Sequence, residues 1–276
     1  MKIKAVELKE YYPVQGGSLQ CIAMETPWSI GHENWRRPAV IIAPGGGYTH
    51  VSKREGEPIA MEFLAKGFQA FVLTYVCSPD ARYPEQLIEL ASAVDYVKKH
   101  AEEYFVNPNE IFVVGFSAGG HLTANLAVEH QNVSKKAGFA LDCKPTAVGL
   151  SYAAINRKVG CERVQDAILL GYSEEEKASF KEIHHLDEAV TSLTPPSFIW
   201  ATATDQVVSC QHSLLFATAA AKAGVPFELH IYPEGLHGRS TGSLEVCDEM
   251  PGNSRRLSGW LENCIAFFRS YCEEKF

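Results

Sequence analysis

The sequence predicts an α/β fold: a mostly parallel central sheet with helices on both faces and a short helical insertion. Three observations predict it. Short runs rich in β-branched and aromatic residues alternate with segments of helical periodicity along most of the chain, the pattern of strand–helix–strand units in a parallel sheet. Several runs are apolar almost without interruption, Ile111-Phe-Val-Val114 among them, as strands covered on both faces require. No repeat, low-complexity stretch or Gly/Ser-rich linker divides the 276 residues. A single domain over 1–276 is therefore expected, of a size that buries about three quarters of its unfolded surface without staples.

The elements follow in order. Segments around residues 2–8 and 19–24 alternate like strands and have no helical pattern between them, so they are expected to pair antiparallel at one edge. Ala39–Ala43 reads as the first buried strand, and Glu57–Lys66 as a helix stopped by Gly67. After the strand Gln69–Tyr75, a helix over Pro84–His100 starts with proline in the first turn, where its missing N–H costs nothing. The strands Glu110–Val114 and Thr146–Leu150 flank a helix over Ala118–His130. The strands Ser197–Ala201 and Phe227–Tyr232 flank another over Ser209–Ala223, and Leu257–Glu274 reads as the last helix. Between them, residues 155–194 carry two short helical patterns, Arg163–Leu170 and Glu174–Phe180, and no convincing strand. Such an insertion after a strand end is either a lid-like substrate wall or a surface excursion.

Composition narrows the function. Hydrophobic residues at 46% and charged ones at 21% exclude a disordered chain, and a net charge of −8 argues against a nucleic-acid partner. No apolar run reaches the roughly 18 residues of a membrane span. The amino terminus has no apolar leader core, so a cytoplasmic, non-membrane protein acting on a small molecule is expected, with a homo-oligomer possible. The eight cysteines contain no C-x-x-C pair, and the adjacent His184 and His185 lack a ligating partner motif, so neither metal nor cofactor is expected.

Chemistry concentrates at Ile111-Phe-Val-Val-Gly-Phe-Ser117-Ala-Gly-Gly-His121. The sequence G-x-S-x-G between an apolar strand and a helix describes a sharp turn that exposes the serine oxygen. Flanking glycines are needed because a Cβ there would strike neighbouring strands. A serine hydroxyl attacks well only if a base takes its proton, and this sheet type orders its partners serine, acid, histidine. His237, in a glycine-containing loop past the strand Phe227–Tyr232, is the expected base; His212 falls within a helix and His230 within a strand. Asp205, just past Ser197–Ala201, is the expected acid, fixing the histidine tautomer. The N–H groups of Ala118 and of Gly46, in Pro44-Gly-Gly-Gly-Tyr48, are expected to form the oxyanion hole. The glycine triplet lacks the continuation of a P-loop, so phosphate binding is not expected. Tyr48, closing that loop, and Tyr152, past Thr146–Leu150, are expected to touch substrate. His121 is expected to pack or hydrogen-bond beneath the site, and Glu174–Glu176 to open a solvated helix.

Several motifs in one order, Pro44-Gly-Gly-Gly-Tyr48, Arg54-Glu-Gly-Glu-Pro58, Arg82-Tyr-Pro84, Gly115-Phe-Ser-Ala-Gly-Gly-His121, Thr194-Pro-Pro-Ser-Phe198 and Gly235-x-His-Gly238, carry a resemblance over most of the chain. The sequence resembles α/β-hydrolase esterases of the family that includes bifunctional feruloyl and acetyl-xylan esterases. The resemblance implies Ser117 as nucleophile, His237 as base and Asp205 as orienting acid. It also implies a carboxylic-ester hydrolase acting through an acyl-serine on short acyl esters of soluble carbohydrate fragments such as acetylated xylo-oligosaccharides. The alternatives are a serine peptidase-like hydrolase and a non-catalytic binding member of the fold.

Overall fold

In a computed structural model, which describes residues 1–25, 35–247 and 257–273, eight strands form one sheet. They are β1 (Lys2–Glu7), β2 (Ser18–Ala23), β3 (Arg37–Ala43), β4 (Gln69–Thr74), β5 (Val106–Phe116), β6 (Val148–Ser151), β7 (Ser197–Thr202) and β8 (Phe227–Tyr232). Their spatial order is β1-β2-β4-β3-β5-β6-β7-β8. β1 pairs antiparallel with β2, and β2 antiparallel with β4, so the edge expected from the helix-free amino-terminal segment is present. The other pairs are parallel.

Alternation along the central strands builds two cores. Ile111 and Val113 of β5 join Leu87, Leu90 and Val94 of α2 (Glu85–Lys99) and Leu122 and Leu126 of α3 (Ala118–Glu129) on one face. Phe112, Val114 and Phe116 turn to the other face, against Ile59 and Phe63 of α1 (Glu57–Ala65) and Trp260, Ile265 and Phe268 of the last helix, Gly259–Arg269. Two helical layers explain why these strands read as continuous apolar runs instead of alternating ones.

β5 starts earlier than its apolar run suggests. Val106 pairs with Arg37 and Ile111 with Ala39, so the residues between them form an irregularity that accommodates Pro108, a residue unable to donate to a regular central ladder. A short helix α4 (Val133–Ala137), closed by Gly138 at φ 79°, was not legible as an element because five residues carry too little periodicity. In the 155–194 region lie α5 (Glu162–Ile168), α6 (Glu174–Ser179) and α7 (Lys181–His184), with an isolated antiparallel bridge between Asn156 and His185. A Ser173–Glu176 capping box starts α6, so its three glutamates do open an exposed first turn. Val164, Ile168, Leu169, Ile183 and Leu186 of the insertion are buried in the α2–α3 core. The region is therefore packed into the body of the protein and not draped over it. Helix α8 (Gln211–Ala223) connects β7 to β8.

The strand order reverses between β3 and β5, since β3 leads outward to β4 while β5 leads the other way to β6. Crevices suited to ligands form at the carboxyl ends of strands at such a point. Among the described residues no helix is long and apolar enough to cross a membrane.

Candidate active site

Ser117 stands directly after β5, at φ 53° and ψ −115°, a conformation a non-glycine residue adopts only at a cost of about 1–3 kcal/mol. The turn is forced by close packing. A Cβ on Gly119 would collide with the Ala43 carbonyl of β3, and one on Gly115 with the Gly119 carbonyl and the Thr123 hydroxyl. The helix after the serine can therefore press against the sheet only with glycine at both places. Backbone hydrogen bonds hold the turn: Ser117 N–H donates to the Ser151 carbonyl at 3.0 Å, and His121 N–H to the Ser117 carbonyl at 2.9 Å.

The loops after β7 and β8 bring two further side chains to it. His237 Nε2 lies 2.8 Å from Ser117 Oγ, and His237 Nδ1 lies 2.7 Å from Asp205 Oδ2. The other carboxylate oxygen, Oδ1, accepts the N–H groups of Val207 at 2.8 Å and Val208 at 2.9 Å. With Oδ1 occupied by two donors and the Asp205 side chain 1% exposed, Oδ2 is aimed at the imidazole. A carboxylate there requires the proton on Nδ1, which leaves the Nε2 lone pair to accept the serine hydroxyl hydrogen. The two loops are also stapled together. Thr202 and Thr204 hydroxyls donate to the Gly235 carbonyl at 2.8 and 3.1 Å, and Gly235 N–H donates back to Thr204 Oγ1 at 2.9 Å.

The glycine loop after β3 forms the opposite wall. Ser52 N–H donates to the Gly45 carbonyl at 2.9 Å, which fixes that peptide plane. In a trans peptide the Gly46 N–H then points the opposite way. Gly46 itself sits at φ 124°, and a Cβ would collide with the His50 carbonyl. Ala118 is the first residue of α3, so its N–H has no carbonyl four residues back. Gly46 lines the same cleft as Ser117 and His237, a space of about 410 Å³.

Tyr48 and Tyr152 do not take the place expected of them. They are 1% and 3% exposed and absent from the cleft wall, because each is used from below. The Tyr48 hydroxyl meets His121 Nδ1 at 2.9 Å, while His121 Nε2 donates to the Ile183 carbonyl at 2.9 Å, so His121 ties the glycine loop to the insertion. Burial pushes the His121 imidazole down to about 4, so it stays neutral. The Tyr152 ring packs edge-on against His237 with centroids 5.1 Å apart. Both tyrosines are corrected from substrate contacts to supports of the site.

Tyr152 leads to a residue that sequence reasoning passed over. Its hydroxyl donates to Glu55 Oε1 at 2.7 Å and accepts Ser240 N–H at 3.1 Å; Glu55 Oε2 accepts Gly45 N–H at 2.8 Å. One carboxylate, 2% exposed, thus joins the glycine loop, the β6 end and the histidine loop. The signal in the sequence was the run Arg54-Glu-Gly-Glu-Pro58, one of the motifs that carry the resemblance, in which Glu55 has no role of its own until the chain is folded.

The other histidines are accounted for elsewhere. His212 is buried, its Nδ1 accepting the Ile155 and Asn156 N–H groups at 3.1 Å each. His230 pairs with Glu228 on its own strand. His184 and His185 are half-buried and bonded to the Lys177 carbonyl and to Asn156 Oδ1. Among the described residues no group of three or more His, Cys, Asp or Glu is placed to hold a metal ion.

Comparison with known proteins adds an independent line. The BD-FAE family model matches residues 31–219. Endo-1,4-beta-xylanase B of Butyrivibrio fibrisolvens is 32% identical over 238 residues, 84% of this chain and 35% of that protein. An acetylxylan esterase of Xylanibacter ruminicola is 28% identical over 244 residues, 85% of this chain and 47% of that one. The chain thus spans less than half the length of either curated relative. Among solved structures, an acetyl ester-xyloside bifunctional hydrolase from Caldicellulosiruptor lactoaceticus superposes with a TM-score of 0.79 at 29% identity, covering 97% of this chain and 96% of that one. The fold is the α/β-hydrolase fold expected from the sequence.

Proposed function

The chain belongs to the BD-FAE family, and from that premise we propose that it is a serine carboxylic-ester hydrolase that removes short acyl groups, acetate above all, from soluble carbohydrate fragments such as xylo-oligosaccharides. The observation that carries this reading is the unbroken chain Asp205–His237–Ser117, with contacts of 2.7 and 2.8 Å, at a strained turn beside a glycine loop. Its chemical consequence is specific. His237 Nε2 takes the hydroxyl proton as Ser117 Oγ attacks the ester carbonyl, and Asp205 stabilises the imidazolium that forms. Charge gathers on the former carbonyl oxygen, where the N–H groups of Gly46 and Ala118 would receive it. His237 returns the proton to the leaving alcohol, and the acyl-serine is cleared by water activated by the same imidazole.

Support for the substrate class comes from the names of the relatives, which include an acetylxylan esterase and an acetyl ester-xyloside hydrolase. A cleft of about 410 Å³ falls in the range of small-molecule sites, about 300–1,000 Å³. The chain's eight cysteines are all free, as suits a reducing compartment.

The test is hydrolysis of 4-nitrophenyl esters from acetate to octanoate, followed by acetate release from acetylated xylo-oligosaccharides, with Ser117→Ala as the blank. A preference for acetate that vanishes in the variant is the expected result. Residual activity above about one percent would point to another nucleophile, because removal of a triad member leaves only the contribution of hole and binding.

A further inference from the structure

Two cationic side chains of the cleft have no part in the mechanism above. Arg54 lies on the loop between β3 and α1, and Arg163 in the first turn of α5, on the wall that the insertion supplies. Both line the cleft that holds Ser117, and both are exposed. Among the described residues neither pairs with a carboxylate, although the neighbouring Arg157 binds Asp166 at 2.8 Å. The two buried acids nearest the cleft are engaged. Glu55 accepts from Gly45 and Tyr152, and Asp205 is held by His237 and two backbone N–H groups. In a protein of net charge −8, two guanidinium groups at the mouth of the reactive cleft thus make no ion pair among the described residues.

Arg54 also has a defined side. A Cβ on Gly238 would come within 2.8 Å of Arg54 Nη2, so the guanidinium lies against the backbone that follows His237. His237 Nε2 is the atom that returns the proton to the leaving oxygen. Arg54 therefore stands against the loop that carries the group facing the leaving alcohol, in the same cleft.

We propose that Arg54 and Arg163 form a carboxylate-recognising rim that selects esters whose alcohol half carries an anionic group, of the uronic-acid or hydroxy-acid class. This rests on the ester-hydrolase reading. A planar guanidinium binds a carboxylate through two parallel N–H bonds. Two such groups on different elements can hold one anion while the acyl carbon sits at Ser117.

The test compares 3-acetoxybenzoate with 3-acetoxybenzamide, acetyl esters of similar size that differ in charge. The wild type is expected to favour the anion by about tenfold in kcat/KM, mainly through KM, with the preference shrinking as salt rises. Arg54→Gln and Arg163→Gln should each lower the anion-to-amide ratio several-fold, and the double variant should bring it near one. Arg54→Lys, which keeps the charge, should retain part of it. Equal rates for the two esters, or a ratio unchanged in the double variant, overturns the rim while leaving the hydrolase intact. If a folded wild type cleaves neither ester, the hydrolase reading falls and the rim with it.

Discussion

Glu55→Gln is the most informative single change, because it alters a charge and one donor while keeping the volume. The carboxylate accepts two hydrogen bonds, from Gly45 N–H at 2.8 Å and Tyr152 O–H at 2.7 Å. A glutamine offers one oxygen and one NH₂. If the oxygen faces Gly45, the NH₂ faces a phenol that already accepts Ser240 N–H at 3.1 Å. The phenol oxygen can accept once more, but its own hydrogen then has no acceptor. If the oxygen faces Tyr152, the NH₂ meets Gly45 N–H donor to donor. Either arrangement leaves a buried donor unpaired, which costs about 1–3 kcal/mol. At about 2–4 °C per kcal/mol for chains of 150–250 residues, Tm should fall by about 2–12 °C. Catalysis should suffer beyond that. Gly45 precedes the expected oxyanion donor Gly46, and the Tyr152 ring supports His237 at 5.1 Å. Loss of an oxyanion donor costs about 100- to 1,000-fold in kcat, and a displaced one should cost about 10- to 100-fold, with KM changing less. Thermal unfolding and steady-state kinetics on 4-nitrophenyl acetate read both effects. A variant with Tm within about 1 °C and kcat within about twofold of wild type would refute the positioning role of Glu55.

Two further outcomes follow from the same geometry. In Asp205→Asn the carbonyl oxygen should stay with the Val207 and Val208 N–H groups, turning the NH₂ toward His237 Nδ1. That reverses the tautomer and presents Nε2–H to Ser117, so kcat should fall by about 10⁴ with the fold retained, as circular dichroism and a turnover assay would show. Glu89 tests the pH dependence of stability: burial pushes its carboxyl from 4.5 up to about 8. Between those values the unfolded chain binds fewer protons at this residue than the folded one, so its contribution is full below about 4.5 and is lost as pH rises toward 8. Glu89→Gln, whose NH₂ would occupy the position of the unpartnered Oε1, should therefore gain on the wild type as pH rises across that window, by a few kcal/mol at most. Urea unfolding at pH 5 and pH 8 measures the difference; a constant or shrinking gap contradicts the sign.

The strand and helix alternation was legible because burial on two faces imprints itself on consecutive residues. Ile111-Phe-Val-Val114 must be apolar throughout if odd and even positions meet different helical layers. The turn at Ser117 was legible for a similar reason, since only glycine fits where α3 crosses the Ala43 carbonyl. Chain order then singled out Asp205 and His237, and tertiary structure brings His237 within hydrogen-bonding reach of Asp205 through one ring nitrogen and of the serine, 120 positions away, through the other. What the chain did not disclose depends on contacts of just that long range. Glu55 reads locally as one charge among several, and only its partner 97 residues on makes it a buried junction. Tyr48 and Tyr152 sit beside the right loops in sequence, yet folding turns their rings beneath the cleft and gives the wall to Arg54 and Arg163. Local periodicity is set by which face of an element is covered. The task of a single polar side chain is set by whichever distant donor or acceptor the folded chain places against it, and only the tertiary structure makes that choice.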